Sequence, residues 1–180
     1  ISRANMLAEL RGWSQFAALQ IEYSLLQRGA ERDLLPMAKA LDMAVTPWGV
    51  IGGGALTGKY LRGEGGRVPE NSLRRNDRSM EIAQAVVDIA QELGITPTQV
   101  AINWVRQRVS NVMPVIGARR VEQLKDSLES LESFIPDEMM ARLNELSKIE
   151  LGFPHDFLSS EGVKQSAFAG TYDKIINHRL

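Results

Sequence analysis

Residues 113–128 read Met-Pro-Val-Ile-Gly-Ala-Arg-Arg-Val-Glu-Gln-Leu-Lys-Asp-Ser-Leu, a short apolar run that passes through one glycine into a basic turn and then a helical pattern. Such a junction suits a phosphate. The first N–H groups of a helix lack partners and carry about half a positive charge, so an anion there satisfies donors and dipole together. Gly117 lets the backbone approach a ligand with no side chain in the way. Arg119 adds a planar fork of donors that matches phosphate oxygens. A surface turn with two solvated arginines is the competing reading of the same residues.

A second stretch, Thr46-Pro-Trp-Gly-Val-Ile-Gly-Gly-Gly-Ala-Leu-Thr-Gly-Lys-Tyr60, sets an aromatic at the end of an apolar run and follows it with glycines. The C-terminal rim of parallel strands is where α/β folds bind ligands, and Trp48 there could stack on a heterocycle or pack the top of a core. Gly52 to Gly54 and Gly58 predict a flexible strap rich in exposed N–H groups, with Lys59 supplying charge. Gly53 to Lys59 also matches the first seven positions of a Walker loop. Tyr60 then stands where that loop needs a serine or threonine for magnesium, and no helix is expected to start at Lys59, so a P-loop nucleotidase is not expected.

The elements that must position these residues alternate. Arg3 to Leu10 reads as a helix stopped at Gly12, Phe16 to Ile21 as a strand, and Glu31 to Leu41 as a helix that tolerates Pro36 only in its first turn. Ala44 to Pro47 is the next strand, and a long, solvated loop is expected from Gly49 to about Asp77. Ile82, Val86, Ile89 and Leu93 share one face of a helix over Met80 to Leu93, ended by Gly94. Thr96-Pro-Thr-Gln99 is a capping box with proline at the first helical position, opening a helix through Arg106. Val112 to Ile116 is expected to be a third strand, followed by helices from Arg120 to Leu131 and from Pro136 to near Ile149. Beyond Leu151 the periodicity fades, predicting a loop-rich tail over a neighbouring surface. Strands separated by helices mean βαβ units and a parallel sheet. Three such strands leave both sheet edges open, so the segment is expected to be part of something larger.

Composition narrows the field. The 180 residues carry 21 basic and 22 acidic side chains, a net charge of −1, which leaves no basic footprint for nucleic acid or an anionic membrane. The absence of cysteine removes disulfides, thiolate zinc sites and cysteine nucleophiles, and is compatible with a cytoplasmic location. No apolar run approaches the roughly 20 residues of a membrane span, and no signal peptide is expected.

Four blocks, in order and spacing, resemble the C-terminal half of the aldo-keto reductases: Asn5-Met-Leu-Ala-Glu-Leu-Arg-Gly-Trp13, Leu19-Gln-Ile-Glu-Tyr-Ser-Leu-Leu26, Trp48 through Tyr60, and Val115-Ile-Gly-Ala-Arg-Arg-Val-Glu-Gln-Leu124. The resemblance implies an α/β fold, the (β/α)8 TIM barrel, of which this chain supplies only strands 6 to 8 with their helices. Residues 1–180 would then be part of one barrel domain, with about 151–180 as its C-terminal loop. It implies reduction of aldehydes or ketones to alcohols with NADP(H). By position, Gln20 resembles the glutamine that holds the nicotinamide carboxamide; a polar residue satisfied by neighbouring backbone is the plainer reading. Trp48 resembles the aromatic that stacks on the nicotinamide ring. Gly49, Val50, Ile51, Gly52 and Leu56, with Gly58 and Lys59, resemble the strap over the pyrophosphate. Gly117, Ala118 and Arg119 resemble the 2′-phosphate corner and Gln123 a further adenosine-phosphate contact. Asp126 and Ser127 resemble the adenine-edge pair, where the family usually has a glutamate or glutamine followed by asparagine. Arg74 or Arg75 could also reach phosphate, or be solvated loop arginines.

The family's proton-donating tyrosine and its lysine, histidine and aspartate helpers lie on its first four strands, and nothing here matches them. Tyr23, Tyr60 and Tyr172 are not in the acid's position, and His155 and His178 fall in the tail. The chain is therefore expected to be inactive alone and to need the missing N-terminal half of the barrel, or to dimerise through its open edges. Two other readings stand beside this one: a cofactor-binding, redox-sensing regulatory subunit, and a truncated product that has lost function. Substrate identity, a small carbonyl or alcohol, is not read from these residues.

Overall fold

The computed structural model describes residues 1–176. It comprises two compact units, one of residues Ile1–Lys148 and one from Ile149 onward. The first contains α1 (Ser2–Arg11), β1 (Ala18–Glu22), α2 (Leu34–Ala40), β2 (Ala44–Trp48), α3 (Asp77–Leu93), α4 (Pro97–Arg108), α5 (Val121–Glu129) and α6 (Asp137–Leu146). The class is α/β.

Local chemistry sets most boundaries. Gly12 and Gly94 end α1 and α3 in the left-handed conformation, φ 64° and 66°. Asn76 caps α3 by accepting from the Ser79 N–H, and both halves of the Thr96/Gln99 capping box form at the start of α4. Pro36 is the third residue of α2, inside its first turn; that helix begins at Leu34, after a separate 3-10 turn at Gly29–Glu31. Ile82, Val86 and Ile89 of α3 and Val100, Trp104 and Val105 of α4 form one core with Tyr23, Leu25, Leu56, Ile135 and Leu143. Each large apolar side chain buried there contributes about 1.5–3 kcal/mol.

β1 and β2 pair in parallel, with Leu19 opposite Val45, Gln20 opposite Thr46 and Glu22 opposite Trp48. The expected third strand is a correction. Residues 112–116 run beside β2, and Met113 N–H and Val115 N–H donate to the Val45 and Pro47 carbonyls at 2.8 Å, but only one isolated bridge, Val45 to Val112, forms. The next rung would set Pro47 against Pro114. In a parallel ladder that rung needs the Pro47 N–H to reach the Met113 carbonyl, and a proline has none, so the ladder lapses there.

The loop after β2 also departs from expectation. It folds into 3-10 turns at Gly52–Thr57 and Leu73–Arg75 around a small core of Ala55, Tyr60 and Val68. The Gly52 and Gly54 N–H groups donate to Gly49 and Ile51 carbonyls within the turn, so they are not the free donors the glycine run suggests.

In the second unit the expected loop-rich tail is largely helical, with α7 (His155–Ser159), α8 (Glu161–Phe168) and a turn at Tyr172–Lys174. These helices bury no residue, so no apolar periodicity marks them in the sequence. Among the described residues no helix is long and apolar enough to cross a membrane.

Candidate functional site

The two strands have opposite faces of different character. Leu19 and Val45 pack with Ala38 and Met43, burying one face beneath α2. Period-two alternation then turns Gln20, Glu22, Thr46 and Trp48 to the other face. Gln20 is exposed, and Trp48 is 42% exposed at the last rung. Trp48 is the diagonal neighbour of Gln20, close enough for one flat ligand to touch both.

The strap leaves directly from Trp48. Val50 and Leu56 are buried and Ile51 packs against the same core, so apolar side chains anchor the segment while its glycines form the turn. Gly58 has φ 75° and would place a Cβ 2.5 Å from Val87 Cγ2, so this glycine is required by packing against α3. Lys59 is half-buried with Nζ 4.8 Å from the Tyr60 ring centroid, held in a cation–π contact. The phenol of Tyr60 accepts from the Val68 N–H at 2.9 Å.

At the other corner, Gly117, Ala118 and Arg119 are exposed, two residues past the bond tying Val115 to Pro47. Arg120 caps α5 with no side-chain bond, leaving first-turn N–H groups open. Arg119 N–H donates to Gln123 Oε1 at 2.9 Å, while neither the Arg119 nor the Arg120 guanidinium has an ion-pair partner among the described residues. Ser127 Oγ donates to the Gln123 carbonyl at 2.8 Å. Asp126 faces α4, accepting from Thr96 Oγ1 at 2.6 Å and Gln99 Nε2 at 3.0 Å.

Sequence reasoning missed two features. Glu22 forms an ion pair with Arg74 across 52 residues, and Tyr23, Arg28 and Glu31 form a network that Arg28 extends to Asn144 and Ser147, 116 and 119 residues away; pairings at such separations have no local signature. Burial, then the Glu31 hydrogen bond and charge, pushes the Tyr23 phenol far above its ordinary value, so Tyr23 holds its proton. Tyr172 packs edge-on against Phe168 at 5.2 Å, and His155 begins α7 half-buried; His178 lies outside the described residues. A cavity of about 520 Å³ lined by Asn103, Arg106, Asn111 and Phe134 contains none of the expected site residues. Arg106 is bonded there to Asn103 and the Ser130 carbonyl, in contrast to Arg119 and Arg120, which have no ion-pair partner among the described residues.

The profile of the aldo/keto reductase family matches residues 1–148. The chain belongs to the aldo/keto reductase family. The match ends where the first compact unit ends. Among curated relatives, "Probable aryl-alcohol dehydrogenase AAD4" of Saccharomyces cerevisiae is 33% identical over 168 residues, covering 89% of this chain and 51% of the relative. "Aryl-alcohol dehydrogenase [NADP(+)]" of Phanerodontia chrysosporium is 32% identical, covering 97% and 48%. Aryl-alcohol dehydrogenase GME11368 of Pestalotiopsis microspora is 32% identical, covering 91% and 42%. The chain thus spans about half the length of the aldo/keto reductase relatives it matches.

Proposed function

We propose that this chain is the cofactor-binding part of an NADPH-dependent oxidoreductase that interconverts aryl aldehydes or ketones and aryl alcohols. One observation carries the reading: Gln20 and Trp48 share an open face at the strand rim, and the chain running beside that rim ends at an arginine with no ion-pair partner among the described residues. The donor set fits the dinucleotide, with an indole for a ring, a primary amide for a carboxamide, and a guanidinium at a helix start without a side-chain cap for a phosphate. When bound, the reduced nicotinamide supplies a hydride. Trp48 would cover one ring face and leave the other to substrate, the Gln20 amide would fix the ring's rotation, and Arg119 would favour the 2′-phosphorylated form. The aryl preference follows the names of the relatives.

In this reading the chain supplies strands six to eight of a (β/α)8 barrel, and the proton donor comes from the remaining strands. Two exposed apolar flanks support it. α1 and its sequel expose Met6, Leu10, Trp13 and Phe16, and on the far side of β2 Met113, Val115, Val121 and Leu124 are exposed. An N-terminal barrel half would cover both. The isolated chain should accordingly lack turnover and self-associate.

The test is NADPH titration of the intact protein followed by tryptophan fluorescence. Saturable quenching that Trp48→Phe abolishes is expected; a protein that shows no quenching would refute the reading.

A further inference from the structure

The end of β1 and the end of the strap loop meet in one ion pair. Glu22 occupies the last rung of the ladder, opposite Trp48. Its carboxylate lies against the first strap residue, since a Cβ on Gly49 would sit 3.4 Å from both Cγ and Oε1 of Glu22. Arg74, 52 residues further along, reaches back from the Leu73–Arg75 turn and pairs with that carboxylate through Nη2. Its Nη1 stands 3.5 Å from where Gly53 would carry a Cβ. One guanidinium therefore touches the rim carboxylate and the glycine turn together.

The neighbouring arginine does something else. Arg75 lies 4.4 Å from the Tyr60 ring centroid and packs the loop's own small core. Ser72 Oγ accepts from the Arg74 N–H at 3.2 Å, fixing the turn from which the two side chains part. The Glu22 and Arg74 side chains are 24% and 34% exposed, so water screens the pair. Among the described residues Glu22 forms no other ion pair.

We propose that Glu22 and Arg74 are a clasp, a pair of positioning residues that hold the loop 49–76 down on the rim and slow the escape of a dinucleotide lying beside Trp48. The ligand in this statement rests on the dinucleotide reading; the clasp is a property of the chain without ligand.

The test uses the intact protein and two measurements, one of them ligand-free. Trypsin can cut after Arg62 and Arg67, both exposed in the loop. Glu22→Gln keeps the shape and removes the charge; it should be cut there, and should release NADPH and NADH alike, roughly five-fold faster, the scale of a partly exposed pair. The charge-exchanged double variant, Glu22→Arg with Arg74→Glu, should return both rates towards wild type, which a merely structural loss would not do. Wild-type cutting in Glu22→Gln, or a double variant no better than the single one, overturns the clasp even if wild type binds NADPH. Faster cutting with unchanged release overturns its role in holding ligand. A wild type that binds neither dinucleotide, with Glu22→Gln cut faster and rescued, leaves the clasp standing and overturns the dinucleotide reading.

Discussion

Tyr23 donates its phenolic hydrogen to Glu31 Oε1 at 2.6 Å, and the same carboxylate takes Nε and Nη2 of Arg28 at 2.8 and 3.0 Å. Arg28 Nη1 continues to the Asn144 carbonyl and Ser147 Oγ, both at 2.8 Å. The turn after β1 is thereby tied to the end of α6, more than a hundred residues away. Arg28 is only 5% exposed and lies 5.5 Å from the Trp104 ring centroid.

Removing that guanidinium strands its partners. Arg28→Ala leaves the Glu31 carboxylate with its main cation gone and two acceptors on α6 unmet, so it should cost about 3–5 kcal/mol in urea unfolding. Arg28→Lys should recover only part, because an ammonium cannot span the carboxylate and α6 together. A loss below about 1 kcal/mol for the alanine variant would show that the network is ornamental.

Acid should weaken the same network. Burial raises the Glu31 carboxyl, but hydrogen bonds from Arg28 and Tyr23 and the charges of Arg28 and Arg108 outweigh it and hold the group below the usual carboxylate range. A folded value below the unfolded one means the contribution is complete above about pH 4.3 and fades as pH falls through the folded value. Glu31→Gln should therefore lose stability at neutral pH and show a flatter acid limb in denaturant melts. An acid limb as steep as wild type would assign the pH dependence elsewhere.

What the sequence made legible follows the range of each interaction. The Thr96/Gln99 box, the Gly94 stop and the α3 stripe depend on neighbours within one or two turns, and they stand where the residues put them. The open face of β1 and β2 could be read because alternation alone decides it once the strands are placed. The third strand could not, because its failure needs Pro47 to stand where an N–H should meet the Met113 carbonyl, which is a fact of tertiary pairing. Asp126 resembles an adenine-edge residue in the sequence and turns to Thr96 of the α4 cap, 30 residues away, for the same reason. The Glu22–Arg74 pair leaves no trace in any window shorter than the loop it closes.

Gly58 and Gly117 should separate cleanly when each is changed to alanine. A Cβ at Gly58 meets Val87 at 2.5 Å and must adopt φ 75°, so Gly58→Ala should cost about 1–3 kcal/mol. Around Gly117 nothing lies within 4 Å of an added Cβ, so Gly117→Ala should change stability by under about 0.5 kcal/mol. Its added methyl would stand where the backbone approaches phosphate, and NADPH affinity should fall. Equal melting behaviour of the two variants would contradict the packing argument.

Asp126 should matter for the seating of α5. That helix buries no residue and is held to α4 by polar bonds, from Thr96 and Gln99 to Asp126 and from Gln99 Nε2 to Glu129 at 3.4 Å. Asp126→Ala removes the acceptor for two donors and should cost about 1–2 kcal/mol. Faster amide exchange in the segment 121–128 should accompany the loss. Unchanged exchange there would mean that α5 is seated by something other than this carboxylate.

In the dinucleotide reading Arg119 would carry the cofactor preference. Its guanidinium has no ion-pair partner among the described residues, so a ligand phosphate there need not displace a protein carboxylate. Hydrogen bonds to a charged group are worth about 1.5–3 kcal/mol, so Arg119→Ala should weaken NADPH by roughly ten- to a hundred-fold. NADH lacks the 2′-phosphate and should lose less than about two-fold, because no other contact of Arg119 is removed with it. Fluorescence titrations of the intact protein with both dinucleotides give the ratio directly. Since Arg119 donates through its backbone N–H to Gln123 in either variant, the corner keeps its shape and the comparison isolates the side chain. Equal losses for the two cofactors would place the preference elsewhere and leave this arginine as a surface charge.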